Sequence, residues 1–225
     1  MAFNGKNWYI FSVKITFLSD EGSWKNKAIG LLAQKLRKRR HKITFLHKAE
    51  AVPSGDILFI LGFFKIVPSS VLKRNKTNIV IHESALPKGR GWSPVSWLII
   101  EGSKVIPLTL FEAVERVDAG PIYLRGKVRL KGDELLPEIQ KNVAGAMMWL
   151  CEQFIARYPA ILKRASPQKG KATFYPKRGP VDSRLDPKKS IAQQFNLLRS
   201  VNNDVYPAYF TYKGSTFVLK IEKKS

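Results

Sequence analysis

Four short runs rich in β-forming residues recur near the start of the chain: Val13–Leu18, Lys42–Leu46, Ile57–Leu61 and Asn78–His82. The third is wholly apolar, the pattern of a strand covered on both faces. Helical or irregular stretches separate the runs, and that alternation points to a mainly parallel sheet of crossover units. The first connection holds a helix whose Ala28, Leu31, Leu32 and Leu36 share one face, with Ser23 placed to cap its start. Its basic end at Arg37–Arg40 suits the negative pole of the helix dipole.

Beyond His82 the pattern continues with a short helix over Pro94–Glu101 and strands over Leu108–Phe111 and Ile122–Leu130. A long helix is predicted from about Asp133 to Arg157, with Leu135, Ile139, Val143, Met147, Leu150 and Phe154 at helical spacing. Ser166–Lys189 is rich in Pro, Lys and Gly and reads as a surface excursion. A helix around Ser190–Ser200 and a hairpin turning at Lys213-Gly214 close the chain. The expected fold is α/β: a Rossmann-like, mainly parallel sheet with helices on both faces, plus a small helix and hairpin extension. The expected division is 1–165 for the first part and 166–225 for the extension.

Composition narrows the function. The 225 residues are 44% hydrophobic and 25% charged, which excludes a disordered chain. The longest uncharged apolar run, Ile57–Phe64, is far short of a membrane span, and the first dozen residues lack the pattern of a secretory leader. The single cysteine, Cys151, excludes an internal disulfide and a cysteine-based metal cluster. A cytoplasmic location is expected. Charge is the unusual quantity: 39 Lys and Arg against 17 Asp and Glu give +22. Such a field attracts anions of any size, from nucleic acid to small phosphorylated ligands, and does not choose among them.

His82 leaves an apolar strand at the edge where open α/β sheets place their ligands. A histidine there can move a proton or stabilise a developing oxyanion near neutral pH, although packing histidines occupy such positions too. His41 and His47 lie among basic surface residues. Gly89-Arg90-Gly91 lets backbone approach a ligand, as glycines in ordinary loops also do. Asp118 sits in a turn before Ala119-Gly120; it is either a plain turn former or a carboxylate that orients His82.

Taken together, His82, Ser84, Leu86-Pro87, Gly89-Arg90-Gly91, Ser93-Pro94, Leu108–Leu110 and Val117-Asp118 with Gly120 resemble the folate-dependent formyltransferase family. The resemblance is strongest over residues 56–123. Within the family, Val105–Gly120 and Tyr206–Tyr209 are most similar to sugar-nucleotide N-formyltransferases of the pseudaminic acid type. What the resemblance implies is formyl transfer from N10-formyltetrahydrofolate to an amine, without a metal. The acceptor would be a nucleotide-linked amino sugar, such as a UDP-linked 4-amino-4,6-dideoxy sugar. His82 and Asp118 would be catalytic. Phe64, Ile66, Val67, Ile106, Leu108 and Val117 would hold the folate, and Ser84, Lys88, Arg90 and Trp92 the acceptor. Specific nucleic-acid or membrane binding is not expected, and the enzyme would act as a monomer or homodimer.

One position departs from the family pattern: Val80 stands where an Asn precedes the histidine by two, and Asn78 lies four before it. The runner-up reading is formylation of initiator methionyl-tRNA, which the basic charge favours. Against it, about sixty residues remain from the start of the excursion, too few for a separate tRNA-binding barrel. A non-catalytic basic binding module is the third reading.

Overall fold

The structure, a computed structural model, describes residues 12–224 and comprises two compact units that divide between Val80 and Ile81. The first eleven residues, over which no secretory leader is expected, lie outside the described residues.

In the first unit, β1 (Lys14–Leu18) is followed by α1 (Asn26–Lys38), β2 (Lys42–Leu46), β3 (Gly55–Ile60), the single turn α2 (Ser69–Leu72) and β4 (Asn75–His82). β1 pairs in parallel with β2 on one side and β3 on the other, and β3 pairs in parallel with β4. The α/β, mainly parallel, Rossmann-like expectation is met. Leu58, Phe59 and Ile57 are fully buried, as their unbroken apolar run requires, and Phe17 stacks on Phe59 at 5.3 Å. α1 buries Ile29, Leu32, Ala33 and Leu36, while Leu31 stays exposed.

Ser23 does not cap α1. Its carbonyl accepts the Asn26 amide at 3.0 Å and its hydroxyl the Lys25 amide at 3.3 Å, so it closes the preceding turn. The helix starts at Asn26, whose side-chain amide donates to the carbonyls of Asp20 and Glu21. β3 and β4 begin two and three residues earlier than their apolar runs, because their parallel pairing continues through polar positions such as Asn75 and Thr77.

The second unit begins with the last two residues of β4. It continues through β5 (Arg90–Gly91), α3 (Pro94–Ile100), β6 (Val105–Glu112), β7 (Ile122–Arg129) and α4 (Leu136–Arg157). β8 (Phe174–Tyr175), α5 (Ile191–Ser200), β9 (Ala208–Tyr212) and β10 (Ser215–Leu219) complete it. β6 and β7 form an antiparallel pair. α4 lies on β7, where Gly126 leaves room for Leu150 and Tyr123 meets the Phe154 ring edge-on at 5.3 Å.

α4 starts later than Asp133 because Glu134 and Glu138 hold the approach. Glu134 accepts the amides of Lys131 and Gly132, and Glu138 accepts that of Leu135. The hairpin turns at Lys213-Gly214, both with positive φ, as a two-residue turn requires. α5 and the hairpin share a small core of Leu185, Leu198, Val201 and Ala208. Short pairing of β5 with β8, in parallel, was not legible in the sequence. No helix among the described residues is long and apolar enough to cross a membrane.

Candidate active site

His82 ends β4 and is buried, 8% exposed. Its two ring nitrogens have different neighbours. Nε2 lies 2.8 Å from the Gly89 carbonyl oxygen, which can only accept, so Nε2 carries a hydrogen. Nδ1 therefore is the nitrogen that gains and loses a proton, and it faces Asp118 Oδ1 at 3.9 Å. That separation is too long for a direct hydrogen bond and within ion-pair range once the ring is protonated. The other carboxylate oxygen, Oδ2, accepts the Gly91 amide at 3.1 Å. Ring orientation thus comes from the Gly89 carbonyl, while Asp118 supplies the facing charge.

Both partners come from unusual backbone. Gly89 and Gly91 have φ of +71° and +95°, and a Cβ on Gly91 would stand 2.5 Å from the Tyr175 carbonyl oxygen. Asp118 itself takes the left-handed region at φ +53°, a conformation aspartate tolerates better than most residues. Gly120 packs so closely on the Glu112 carbonyl that a Cβ there would overlap it. The Asp-Ala-Gly sequence makes the turn and presents the carboxylate at once.

The surrounding residues divide by exposure. Ser84 is buried; its carbonyl accepts the Thr109 hydroxyl at 2.7 Å, and its own hydroxyl has no hydrogen-bond partner among the described residues. Arg90 is buried, and its guanidinium donates to Gln168 Oε1 at 2.7 Å. Lys88 is exposed. Trp92, two-fifths exposed, has the Lys177 ammonium 5.3 Å from its ring centre.

Of the six residues expected to hold folate, three belong to each unit. In the first, Phe64 and Ile66 are 61% and 79% exposed on the segment after β3, and Val67 is half-buried. The Phe64 amide is tied to Asp20 Oδ2 at 2.8 Å, which fixes the start of that segment. In the second, Val117 is largely exposed, whereas Ile106 and Leu108 are fully buried in β6 and can meet a ligand only through their backbone. Phe64 and Ile66 are thus large apolar side chains left exposed beyond a strand end.

Other candidates serve structure. His41 Nδ1 accepts the Val13 amide, and burial together with Arg39 holds its pKa below the usual histidine range. His47 Nδ1 lies 2.8 Å from the Ser19 carbonyl. Asn78 donates its side-chain amide to the Leu72 carbonyl at 3.1 Å, so that donor ties β4 to the end of α2. Val80 is half-buried. Among the described residues no group of three His, Cys, Asp or Glu is placed to hold a metal ion.

Sequence reasoning missed Gln168 and Thr173. Gln168 Nε2 donates to the carbonyls of Asp118 and Gly120 at 2.8 and 3.0 Å. The Thr173 hydroxyl accepts the Gly89 amide at 2.8 Å. Both lie in the excursion read as surface, and no local signal marked them.

Residues 15–153 match the family model described as "Formyl transferase". The bifunctional polymyxin resistance protein ArnA of Wigglesworthia glossinidia brevipalpis is 28% identical over 162 residues, 70% of this chain and 24% of that protein. The chain thus spans about a quarter of that relative. Among solved structures, a methionyl-tRNA formyltransferase from Clostridium thermocellum aligns with a TM-score of 0.76 at 18% identity, covering 94% of each chain. A sugar N-formyltransferase from a Shewanella species aligns at 0.69 and 16% identity, covering 94% of this chain and 98% of that one. These likenesses are of fold.

Proposed function

This chain belongs to the formyl transferase family, and from that premise we propose that it moves the formyl group of N10-formyltetrahydrofolate onto the amino group of a nucleotide-linked amino sugar. The observation that carries the reading is the His82–Asp118 pair: a ring locked by the Gly89 carbonyl, with Nδ1 facing a carboxylate at 3.9 Å. When bound, the folate supplies a formyl carbon open to attack by an amine. On the family resemblance, Phe64, Ile66, Val67 and Val117, with the backbone at Ile106 and Leu108, are the candidates to hold its pterin.

His82 and Asp118 perform the proton work. An attacking amine must shed a proton and the departing folate nitrogen must gain one, and Nδ1 can take the first and return the second. Asp118 Oδ1 stabilises the imidazolium between those events, while Oδ2 stays anchored to the Gly91 amide. The carbonyl oxygen that becomes negative during attack gains stabilisation from the protonated ring. Val80 offers no hydrogen bond, so His82 carries more of that load here than a chain with an amide at that position would require.

The acceptor reading is supported by Trp92, which follows the Gly91 amide held by Asp118 and keeps an exposed indole beside the Lys177 ammonium. A flat ring next to a cation suits a nucleotide, and Lys88 and Arg90 add positive charge in the same short loop. The finer proposal is a UDP-linked 4-amino-4,6-dideoxy sugar, on the resemblance of Val105–Gly120 and Tyr206–Tyr209. A cytoplasmic enzyme with catalysis in residues 1–165 and a 166–225 extension, monomeric or dimeric, completes the proposal.

A tRNA acceptor is the second reading, favoured by the charge of +22. The test is a side-by-side assay with N10-formyltetrahydrofolate, following tetrahydrofolate release and the mass gain of the acceptor. Formylation of a nucleotide amino sugar, with no more than weak RNA binding that vanishes at physiological salt, is the expected result. Formylation of initiator methionyl-tRNA alone would overturn it.

A further inference from the structure

The excursion after residue 165 is fastened to the site at several points. Ser166 exchanges both backbone hydrogen bonds with Ile122, at 2.7 and 2.9 Å. Gln168 follows, and every donor and acceptor group of its side-chain amide is used. Its two N–H groups go to the Asp118 and Gly120 carbonyls, and its oxygen takes the Arg90 guanidinium at 2.7 Å. Thr173 accepts the Gly89 amide, and β8 pairs with β5. Gln168 thus spans 50 residues to the Asp118 turn and 78 to the Gly-Arg-Gly turn.

We propose that Gln168 is a positioning residue for the transfer reaction, holding the Asp118 turn and the Arg90 turn to one another so that the carboxylate faces His82. The proposal rests on the formyl-transfer reading for its consequence, but the clamp itself is a matter of structure. Three features make the clamp necessary. Asp118 sits at positive φ, so its turn is not the chain's lowest-energy choice and is kept by its surroundings. Its carboxylate reaches Gly91 and His82, residues on the Arg90 turn and at the end of β4, which a slack loop would separate. Arg90 is 7% exposed, its guanidinium has no carboxylate partner among the described residues, and it depends on the Gln168 oxygen for its charge-assisted bond. Flanking residues Pro167 and Lys169 are exposed, whereas Gln168 between them is half-buried.

A 1 Å misplacement of a catalytic group costs about 10²-fold in rate. Two variants separate the halves of the clamp. Gln168→Ala removes all three hydrogen bonds. Gln168→Glu keeps an acceptor for Arg90 but sets a carboxylate against the Asp118 and Gly120 carbonyls, so it also releases the turn. Both are expected to lower kcat by about 10- to 100-fold, with KM for the folate, which Val117 of the same turn would contact, rising by a smaller factor. Independently of any substrate, amide hydrogen exchange at Gly91, whose N–H bonds Asp118, should quicken at least about 10-fold while amides of β6 keep their protection.

Unchanged Gly91 exchange and unchanged kcat in a folded variant would overturn the proposal. If Gln168→Ala fails to fold, Gln168→Glu decides the question, since it retains the contact to Arg90. Should the wild-type protein formylate no amino sugar, the functional reading fails, while Gly91 exchange still decides the clamp.

Discussion

The Nε2–H of His82 is spent on the Gly89 carbonyl, 2.8 Å away and seven residues along the chain. A backbone oxygen cannot change protonation state, so this bond holds the ring in one tautomer before and after any proton transfer. In the proposed transfer the working nitrogen is Nδ1, and Asp118 is the charged group it faces.

Removal of either member of this pair is expected to abolish most turnover. His82→Ala and Asp118→Ala should each lower kcat by about 10²–10⁴ while leaving the thermal unfolding transition near its wild-type position. Steady-state kinetics beside a melting curve checks this. Turnover near wild type in either variant would remove that residue from the mechanism.

Asn78 behaves differently. Its amide donates to the Leu72 carbonyl, so Asn78→Ala should cost about 1 kcal/mol of stability and leave kcat within about 3-fold of wild type. Urea unfolding and kcat measured on one preparation separate the two effects. A 10²-fold fall in kcat would mean that the amide serves the formyl oxygen after all.

Glu134 and Arg199 form an ion pair at 3.7 Å with both residues over nine-tenths buried. Burial pushes the Glu134 carboxyl up, but the Lys131 and Gly132 amides and the Arg199 charge outweigh it and hold its pKa below the usual range. A depressed carboxyl contributes stability above its unfolded pKa and loses it as pH falls through the folded value. Glu134→Gln is therefore expected to destabilise the protein by about 3 kcal/mol at pH 7, because Arg199 is left buried without its counter-charge. The gap between variant and wild type should narrow below about pH 4, where the wild-type carboxylate also protonates. Denaturant midpoints across that range measure it, and a pH-independent gap would contradict the ion-pair account.

Cys151 lies on the buried face of α4 with no exposed surface, and burial pushes its thiol pKa well above the ordinary range. Thiol reagents should leave it unmodified in the folded protein and react fully in denaturant. Rapid stoichiometric labelling under native conditions would show that the α4 face opens readily.

The elements themselves were legible from residue patterns, because burial of a strand or helix face writes a period of about 2.0 or 3.6 into the chain. Ile57–Leu61 had to be an inner strand, and Ile139–Phe154 had to be one long helix face. His82 at a strand end and Asp118 before Ala119-Gly120 were visible for the same local reason. Where neighbours compete for one backbone group, local reading slipped by a few residues, as at Ser23 and at Glu134 before α4.

What only the tertiary structure decided was direction and partnership. Asn78 and His82 sit on one strand with like spacing, yet the amide turns to Leu72 while the ring meets Gly89. Ile106 and Leu108, expected to line a ligand, are consumed by the core. Gln168 carries no sign in its Pro- and Lys-rich surroundings that its amide reaches Asp118, 50 residues away. Periodicity reports which face of an element is covered; hydrogen bonds between distant turns depend on where packing brings those turns to rest. The sequence alone determined that there would be an α/β sheet with a histidine at its edge, and packing alone determined which proton that histidine can move.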